Sequence, residues 1–264
     1  MGPPQARPPE HGPRVDLSAH FAYDRIGVGY ARRRRPDPRI AARIHDALGS
    51  ARTVVNVGAG TGSYEPTDRA VVAVEPSSTM LAQRIEGSAP AVQGVAEHLS
   101  FRDGSFDAAL CVLTAHHWAD VHLGMQELRR VARRQVHFTF DVALQDRLWF
   151  AREYLPESIA FEAQRAPVIE EIVAGIGGAE VVAVPIPRDC TDGFLGAYWH
   201  RPEAYLDPEV QASVSTFASV APDAVDAAVR RLGEDLDSGA WHRRFGDLLD
   251  LEELDLGYRL VFDA

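Results

Sequence analysis

The sequence predicts an α/β fold: a largely parallel sheet with helices on both faces and a helical insertion towards its C-terminal end. Three observations carry that expectation. Residues 54–62 read VVNVGAGTG, a short apolar run ending in glycines, the pattern of a buried parallel strand meeting a tight turn. A second β-rich run, Val71–Val74, ends in Glu75, and strand-like and helix-like stretches alternate from there on. Finally, about 70 residues separate two late strand-like runs, Glu180–Ile186 and Tyr258–Phe262. That is too long for a structureless loop.

Composition narrows the class. The chain has 264 residues, 46% of them hydrophobic, enough for one sizeable core or one domain plus a cap. The net charge of −11 argues against a general nucleic-acid binder, which would carry a basic surface. Cys111 and Cys190 provide neither a disulfide framework nor a zinc spacing, and no metal site is expected. No apolar run approaches a membrane span. The proline-rich opening MGPPQARPPEHGPR lacks the apolar stretch of a signal peptide and reads as a disordered leader. A cytoplasmic protein acting on a small molecule is the default expectation. The expected division is a leader over 1–16, lid helices over 17–49, an α/β core over 50–187, a helical cap over 188–254 and a last core strand over 255–264.

Each element has a local reason. Ile40, Ile44 and Leu48 recur four apart after Pro38 and before Gly49, an amphipathic helix with its stop signal. Ser63–Arg69 is too short for a full crossover helix, and Pro66 truncates it further. Ser77-Ser78 offer helix caps, with Met80, Leu81 and Ile85 as the buried face that follows. Ala91–Val95 and Ala108–Leu113 read as strands, with Asp103-Gly104 as turn chemistry between them. Val121–Val131 reads as a helix with Leu123, Leu128 and Val131 inward. Arg129-Arg130 and Arg133-Arg134 suit the negative end of its dipole. Gln135–Phe140 is the fifth strand, ending at Asp141. An aromatic stretch, Leu148–Phe161, is broken by Pro156. A helix over Val168–Ile176 is closed by Gly177-Gly178, and Pro185 is tolerable near the end of the strand Glu180–Ile186. Helix-like stretches follow around Val210–Val220 and Pro222–Leu236.

The glycine loop admits three ligand readings. A dinucleotide fingerprint needs G-x-G-x-x-G/A, but Ser63 holds the third position and Gly62 comes one residue early. A phosphate-binding P-loop needs a lysine, and all 27 basic residues of this chain are arginine. The third reading is S-adenosylmethionine (SAM). Gly58-x-Gly60-x-Gly62, then Glu75, then Ala96-Glu97-x-Leu99, then Asp103-Gly104-Ser105-Phe106-Asp107 resemble, in order and spacing, the motifs of the class I SAM-dependent methyltransferases. The resemblance is to their UbiE-like, type 11 branch and covers roughly residues 50–140. It implies a Rossmann-like seven-stranded sheet and SAM as cofactor.

Glu75, at the tip of the strand beside the loop, is placed to accept hydrogen bonds from ribose hydroxyls. The resemblance implies cofactor contacts at Gly58, Ala59, Gly60, Thr61, Gly62 and Pro76. It puts Tyr64 near the methionine end, Ala96 and Glu97 beside the adenine, and Leu113 and Thr114 near the sulfonium. Met80 reads as core with a possible edge on the adenine. Upstream, the run Arg32–Arg35 reads as a solvated helix face or a linker; alternatively Tyr23 and Tyr30 are lid candidates, with Arg35 a weaker one whose cation suits the cofactor carboxylate.

Thr114-Ala115-His116-His117-Trp118 follows the fourth strand, at the edge where open α/β sheets bind ligands. In-line methyl transfer needs an aligned nucleophile and, for a hydroxyl, acidic carbon or protonated amine, a proton acceptor. His117, or His116, is the candidate base or substrate orienter; helix capping and packing under Trp118 are the structural alternatives. The stretch lacks the Asn/Asp-Pro-Pro-Tyr/Phe of nucleobase amino methyltransferases, which with the acidic charge points away from nucleic acid. Asp141, Trp149, Tyr198 and Trp199 are candidate substrate contacts, each with a structural alternative as a turn residue or cap core. Two rival functions keep the same scaffold: a SAM-binding enzyme of cyclisation or rearrangement, and a non-catalytic partner. The intact loop with Glu75 argues against the second, and an NAD oxidoreductase is more distant.

Overall fold

The computed structural model describes residues 34–263. Its first helix, α1 (Pro38–Ala47), starts where Asp37 caps it by accepting the Arg39 N–H at 3.0 Å and Pro38 presets the first turn. Ile40, Ile44 and Leu48 are buried against the sheet, as their spacing predicts. Each such side chain removed from water contributes about 1.5–3 kcal/mol.

The sheet contains β1 (Thr53–Val57), β2 (Ala70–Glu75), β3 (Ala91–Gln93), β4 (Phe106–Val112), β5 (Ala132–Phe140), β6 (Ala179–Ala183) and β9 (Tyr258–Asp263). Their spatial order is β3-β2-β1-β4-β5-β9-β6. β1 pairs in parallel with β2 and β4, and β4 with β5, whereas β9 runs antiparallel between β5 and β6. Strand order reverses between β1 and β4, so a crevice opens there at the carboxyl ends of the strands. Successive strand residues alternate between two cores. Val54, Ala108, Leu110 and Phe138 face α1 and the C-terminal helices. Val55, Val57, Ala109 and Cys111 face α3 (Val121–Val131) and α6 (Ile169–Ile176).

Several local expectations shift. α2 (Ser78–Ala82) ends early, so Ile85 leaves the helical period and is 75% exposed. In α3 the inward stripe is Gly124, Met125, Leu128 and Val131, which turns Leu123 outward. β5 begins at Ala132, so Arg133 and Arg134 belong to a strand, and Arg134 reaches the Ala47 carbonyl at 3.2 Å. Pro185, which has no N–H for the ladder, divides the run 180–186 into β6 and a short β7 (Ile186–Pro187) paired with β8 (Glu253–Leu254). The segment 63–69 forms turns without a crossover helix, as expected.

The long insertion is helical. α7 (Pro208–Ser213), α8 (Ser215–Ser219), α9 (Pro222–Asp237) and α10 (Ala240–Phe245) pack with α4 (Trp149–Glu153) and α5 (Pro156–Ala163). An aromatic cluster joins them: Phe150 stacks on Tyr205 at 4.1 Å, and Trp149 meets Trp241 edge-on at 5.2 Å. Among the described residues no helix is long and apolar enough to cross a membrane.

Candidate active site

The glycine loop is fixed from three sides. The N–H groups of Gly58 and Ala59 both donate to the Val74 carbonyl, at 2.9 and 3.0 Å, which folds the loop over the end of β2. Gly58 has φ +68°, and a Cβ there would lie 1.8 Å from Thr114 Oγ1, so only glycine fits. The Glu75 carboxylate accepts the Gly60 N–H at 2.7 Å through Oε2 and the Ser77 N–H at 2.9 Å through Oε1. Behind the loop a buried Arg84–Glu65 pair, 2.7 Å apart, reaches the Gly60 carbonyl through Arg84 at 3.3 Å and Asn56 through Glu65 at 3.1 Å.

These elements frame a cleft of about 830 Å³, its open mouth included, at the β1–β4 reversal. Gly58, Ala59, Gly60, Thr61, Glu75, Pro76, Met80, Ala96, Leu113, Thr114 and His117 line it. So do Arg34, Asn56, Ser63 and Trp118, which the sequence reading did not select. The cleft-facing position of Asn56 follows from strand alternation, but Arg34 belongs to a run of four arginines with nothing to distinguish one from another. Arg35, the cation expected here, is exposed, whereas Arg34 is ion-paired to Asp192 at 2.7 Å.

Three expected cofactor contacts lie elsewhere. Gly62 (φ +98°) closes the loop by donating to the Ala59 carbonyl. Tyr64 is buried beneath the loop, and its hydroxyl donates to Asp192 at 2.8 Å. Glu97 turns away to accept the N–H groups of Ala119 and Asp120 at 2.7 and 3.1 Å, capping the approach to α3. Tyr23 and Tyr30 fall outside the described residues.

A second cavity lies beyond Leu113, which holds a left-handed backbone (φ 48°) at the wall between the two. Leu113 and Arg34 border both spaces. His116, Phe140, Leu195, Thr216 and Tyr258 line the second, and Glu162 enters it from α5. Burial, helped by the Arg165 and Arg34 cations, pushes the His116 imidazole down to about 3, so it stays neutral. Burial pushes the Glu162 carboxyl up to about 7, with Arg165 pulling weakly the other way. His117 faces the cleft, with Arg165 Nη2 3.4 Å from its Nδ1. A guanidinium only donates, so Nδ1 is the accepting nitrogen and the ring proton sits on Nε2.

The other expected substrate contacts are structural. Trp149 and Trp199 are fully buried in the cap, their indole N–H groups donating to the carbonyls of Trp199 and Ile186 at 2.7 and 2.9 Å. Tyr198 packs in the same core, 5.9 Å from Tyr205. Large aromatics in a helical insertion are needed first to hold the insertion together, and that use consumed all three. Asp141 caps the turn 142–147 by accepting the Ala143 N–H at 3.0 Å.

A family model described as a methyltransferase domain matches residues 55–140. A methyltransferase of Bacillus subtilis (strain 168), YcgJ, itself uncharacterized, is 31% identical over 96 residues, 32% of this chain. The match spans 38% of that relative's length. A solved structure assigned as a methyltransferase from an antibiotic biosynthesis pathway of Anabaena variabilis ATCC 29413 is 32% identical, with a TM-score of 0.81. That similarity covers 87% of this chain and 98% of the other. The chain belongs to the class I SAM-dependent methyltransferases. The site of this methyltransferase fits the cofactor on its own geometry. A bare-backbone loop lies against a fixed carboxylate, an apolar wall of Pro76, Met80 and Ala96 stands beside it, and Arg34 lies on the cleft lining.

Proposed function

We propose that this methyltransferase transfers a methyl group from SAM to a small-molecule acceptor bound beneath the helical cap. The observation that carries this reading is the shared wall: the glycine-loop cleft and the cap cavity meet at Leu113 and Arg34. When bound, SAM supplies an electrophilic methyl group on a sulfonium. Glu75 would accept the ribose hydroxyls, while Pro76, Met80 and Ala96 would border the adenine. Arg34, already paired with Asp192, would present its remaining guanidinium donors to the cofactor carboxylate. Leu113 and Thr114 set the passage through which the acceptor atom reaches the methyl carbon. Alignment along that passage is the main contribution the protein makes to an in-line displacement. His117, with Nε2–H as donor, orients the acceptor rather than deprotonating it.

The residues 188–254 act as the substrate cap, over a core of 50–187 completed by the strand within 255–264. Residues 38–48 belong with that core, since Ile40, Ile44 and Leu48 are buried in it. A cap this large suits an acceptor bigger than a metabolite acid, and the Anabaena relative's assignment to antibiotic biosynthesis points to a secondary metabolite. The acidic, lysine-free surface fits a cytoplasmic enzyme rather than one that binds nucleic acid.

Calorimetric titration with SAM, S-adenosylhomocysteine and NAD tests the cofactor site. Heat with both sulfur compounds and none with NAD supports it; binding of NAD alone overturns it. SAM binding with conversion of an acceptor but no S-adenosylhomocysteine formed would favour cyclisation or rearrangement instead.

A further inference from the structure

We propose that Glu162 is the general base of the cap cavity and that the acceptor presents a hydroxyl there, so that the product is a methyl ether. This rests on the methyl-transfer reading above. Glu162 projects from α5 into the space beyond Leu113 and is 8% exposed. Its Oε2 is buried with no hydrogen-bond partner, and the Nδ1 of His116, lining the same cavity, is in the same state. A buried polar atom without a partner costs about 1–3 kcal/mol. Two such atoms, on residues that line one cavity and come from elements far apart in sequence, mark a place where a polar group of a ligand completes the bonding.

The charges around the cavity choose the polar group. Arg34 lines it, and Arg165 follows Glu162 by one helical turn; both lower the proton affinity of His116. Tyr258, from β9, is the remaining titratable side chain on the lining, and burial holds its phenol protonated. α7 and α8 contribute the uncharged Ser213, Ser215 and Thr216. Asp192 already neutralises Arg34, which among the described residues leaves Arg165 as the unpaired charge beside the cavity: an ammonium acceptor would enter next to that cation and be repelled. A hydroxyl that becomes an oxyanion as it attacks would be stabilised by it.

The proton balance then selects Glu162. The hydroxyl oxygen forms a bond to the methyl carbon while the carbon–sulfur bond breaks, and its electron pair goes to sulfur, which becomes a neutral thioether. The hydroxyl proton passes to the Glu162 carboxylate. His116 holds a proton too weakly to compete, and His117 already uses its accepting nitrogen on Arg165. A carboxyl titrating near the working pH is matched to the task.

The experiment uses 2-naphthol and 2-naphthylmethylamine as probes, with the full-length protein and Glu162→Gln. SAM titration comes first: equal affinity is expected for both proteins, because Glu162 is not on the cofactor cleft. No SAM binding by the wild type would sink the methyl-transfer reading and this proposal together. Calorimetry on the S-adenosylhomocysteine complex should show naphthol binding at least tenfold tighter than the amine. Transfer of a labelled methyl group to naphthol should rise about tenfold per pH unit below 7 and level off above it. In Glu162→Gln that transfer should fall about 100-fold and lose the inflection. With SAM binding intact, any of three results overturns the proposal alone: methylation of the amine in preference to naphthol, a Glu162→Gln rate within threefold of wild type, or no binding and no methylation of naphthol.

Discussion

The Tyr64 hydroxyl donates to Asp192 Oδ2 at 2.8 Å, joining the exit of the glycine loop to the first turn of the cap across 128 residues of sequence. Asp192 also pairs with Arg34 at 2.7 Å and accepts the Gly193 N–H at 2.7 Å. One buried carboxylate thus ties together the N-terminal segment, the cofactor loop and the cap. Tyr64→Phe removes one donor and leaves the other two. The expected loss is about 1–2 kcal/mol of unfolding free energy, measured by denaturant titration. SAM affinity should stay within a fewfold of wild type, because Tyr64 is not on the cleft lining. A tenfold loss of affinity with unchanged stability would return Tyr64 to the cofactor site.

Gly58→Ala should abolish SAM binding. The added methyl group would meet Thr114 at less than van der Waals distance, in a backbone conformation that L side chains rarely adopt. The loop must move, and with it the Gly60 N–H held by Glu75. Calorimetry should show no heat at cofactor concentrations that saturate the wild type. Gly104→Ala is the control: it also has a positive φ but lies in open space, so it should lose stability without losing the cofactor. Equal behaviour of the two variants would mean that the contact with Thr114 does not matter.

The contrast between these residues explains what the sequence revealed. The strand–glycine–acid pattern was legible because backbone geometry and ligand approach both require it, and eleven of the expected positions line the cleft. The strand β9 was legible from its apolar run and the helical insertion before it from its length, while the direction of β9 is set by its pairing with β5 and β6. Tyr64 and Glu97 are off the cleft lining because motif position says that a residue is near a loop, not which way its side chain turns; Tyr64 spends its hydroxyl on Asp192, and Glu97 one carboxylate oxygen on the N–H groups of Ala119 and Asp120. Glu162 was invisible. Nothing in PESIAFEA distinguishes a cavity carboxylate from a solvated one, since its role depends on α8 and the 115–117 turn arriving from elsewhere in the chain.

Glu162→Gln should raise stability at alkaline pH. Burial lifts the folded-state pKa to about 7 from an ordinary value near 4.5. The folded protein therefore holds a proton that the unfolded chain has released. This stabilising contribution is full below 4.5 and is lost as pH rises through 7. The uncharged glutamine escapes that loss. Its melting temperature should exceed wild type at pH 8 and match it at pH 5. A variant less stable at both values would mean that the carboxyl is satisfied in a way its isolation in the cavity does not suggest.

His117→Ala separates orientation from proton transfer. As a donor through Nε2–H, His117 holds the acceptor in line but takes no proton, so its removal should raise the acceptor KM and lower kcat by about tenfold. The pH–rate profile should keep its shape, because the titrating group lies elsewhere. Loss of the inflection near pH 7 in this variant would make His117 the base and remove that role from Glu162.

Acid should unfold the protein from an unusually high pH. His116 and His137 are both buried, and burial lowers their imidazoles from an ordinary 6.5 to about 3 and about 4. The unfolded chain takes up two protons below pH 6.5 that the folded chain refuses. Their stabilising contribution is complete above 6.5 and falls by about 1.4 kcal/mol per pH unit for each ring as pH drops towards 4. Arginine-paired carboxylates such as Asp37 and Glu127 add to the decline only nearer pH 4, where they begin to protonate in the unfolded chain. Glu162 works the opposite way between pH 7 and 4.5, so the early slope is that of the two histidines less that of one carboxyl, and remains downward. Unfolding free energy measured between pH 7 and 5 should slope downward in the wild type, and His137→Gln should make the slope shallower. A flat curve down to pH 5 would mean that one or both rings find a partner for the charged form, and for His116 that would reopen its candidacy as a base.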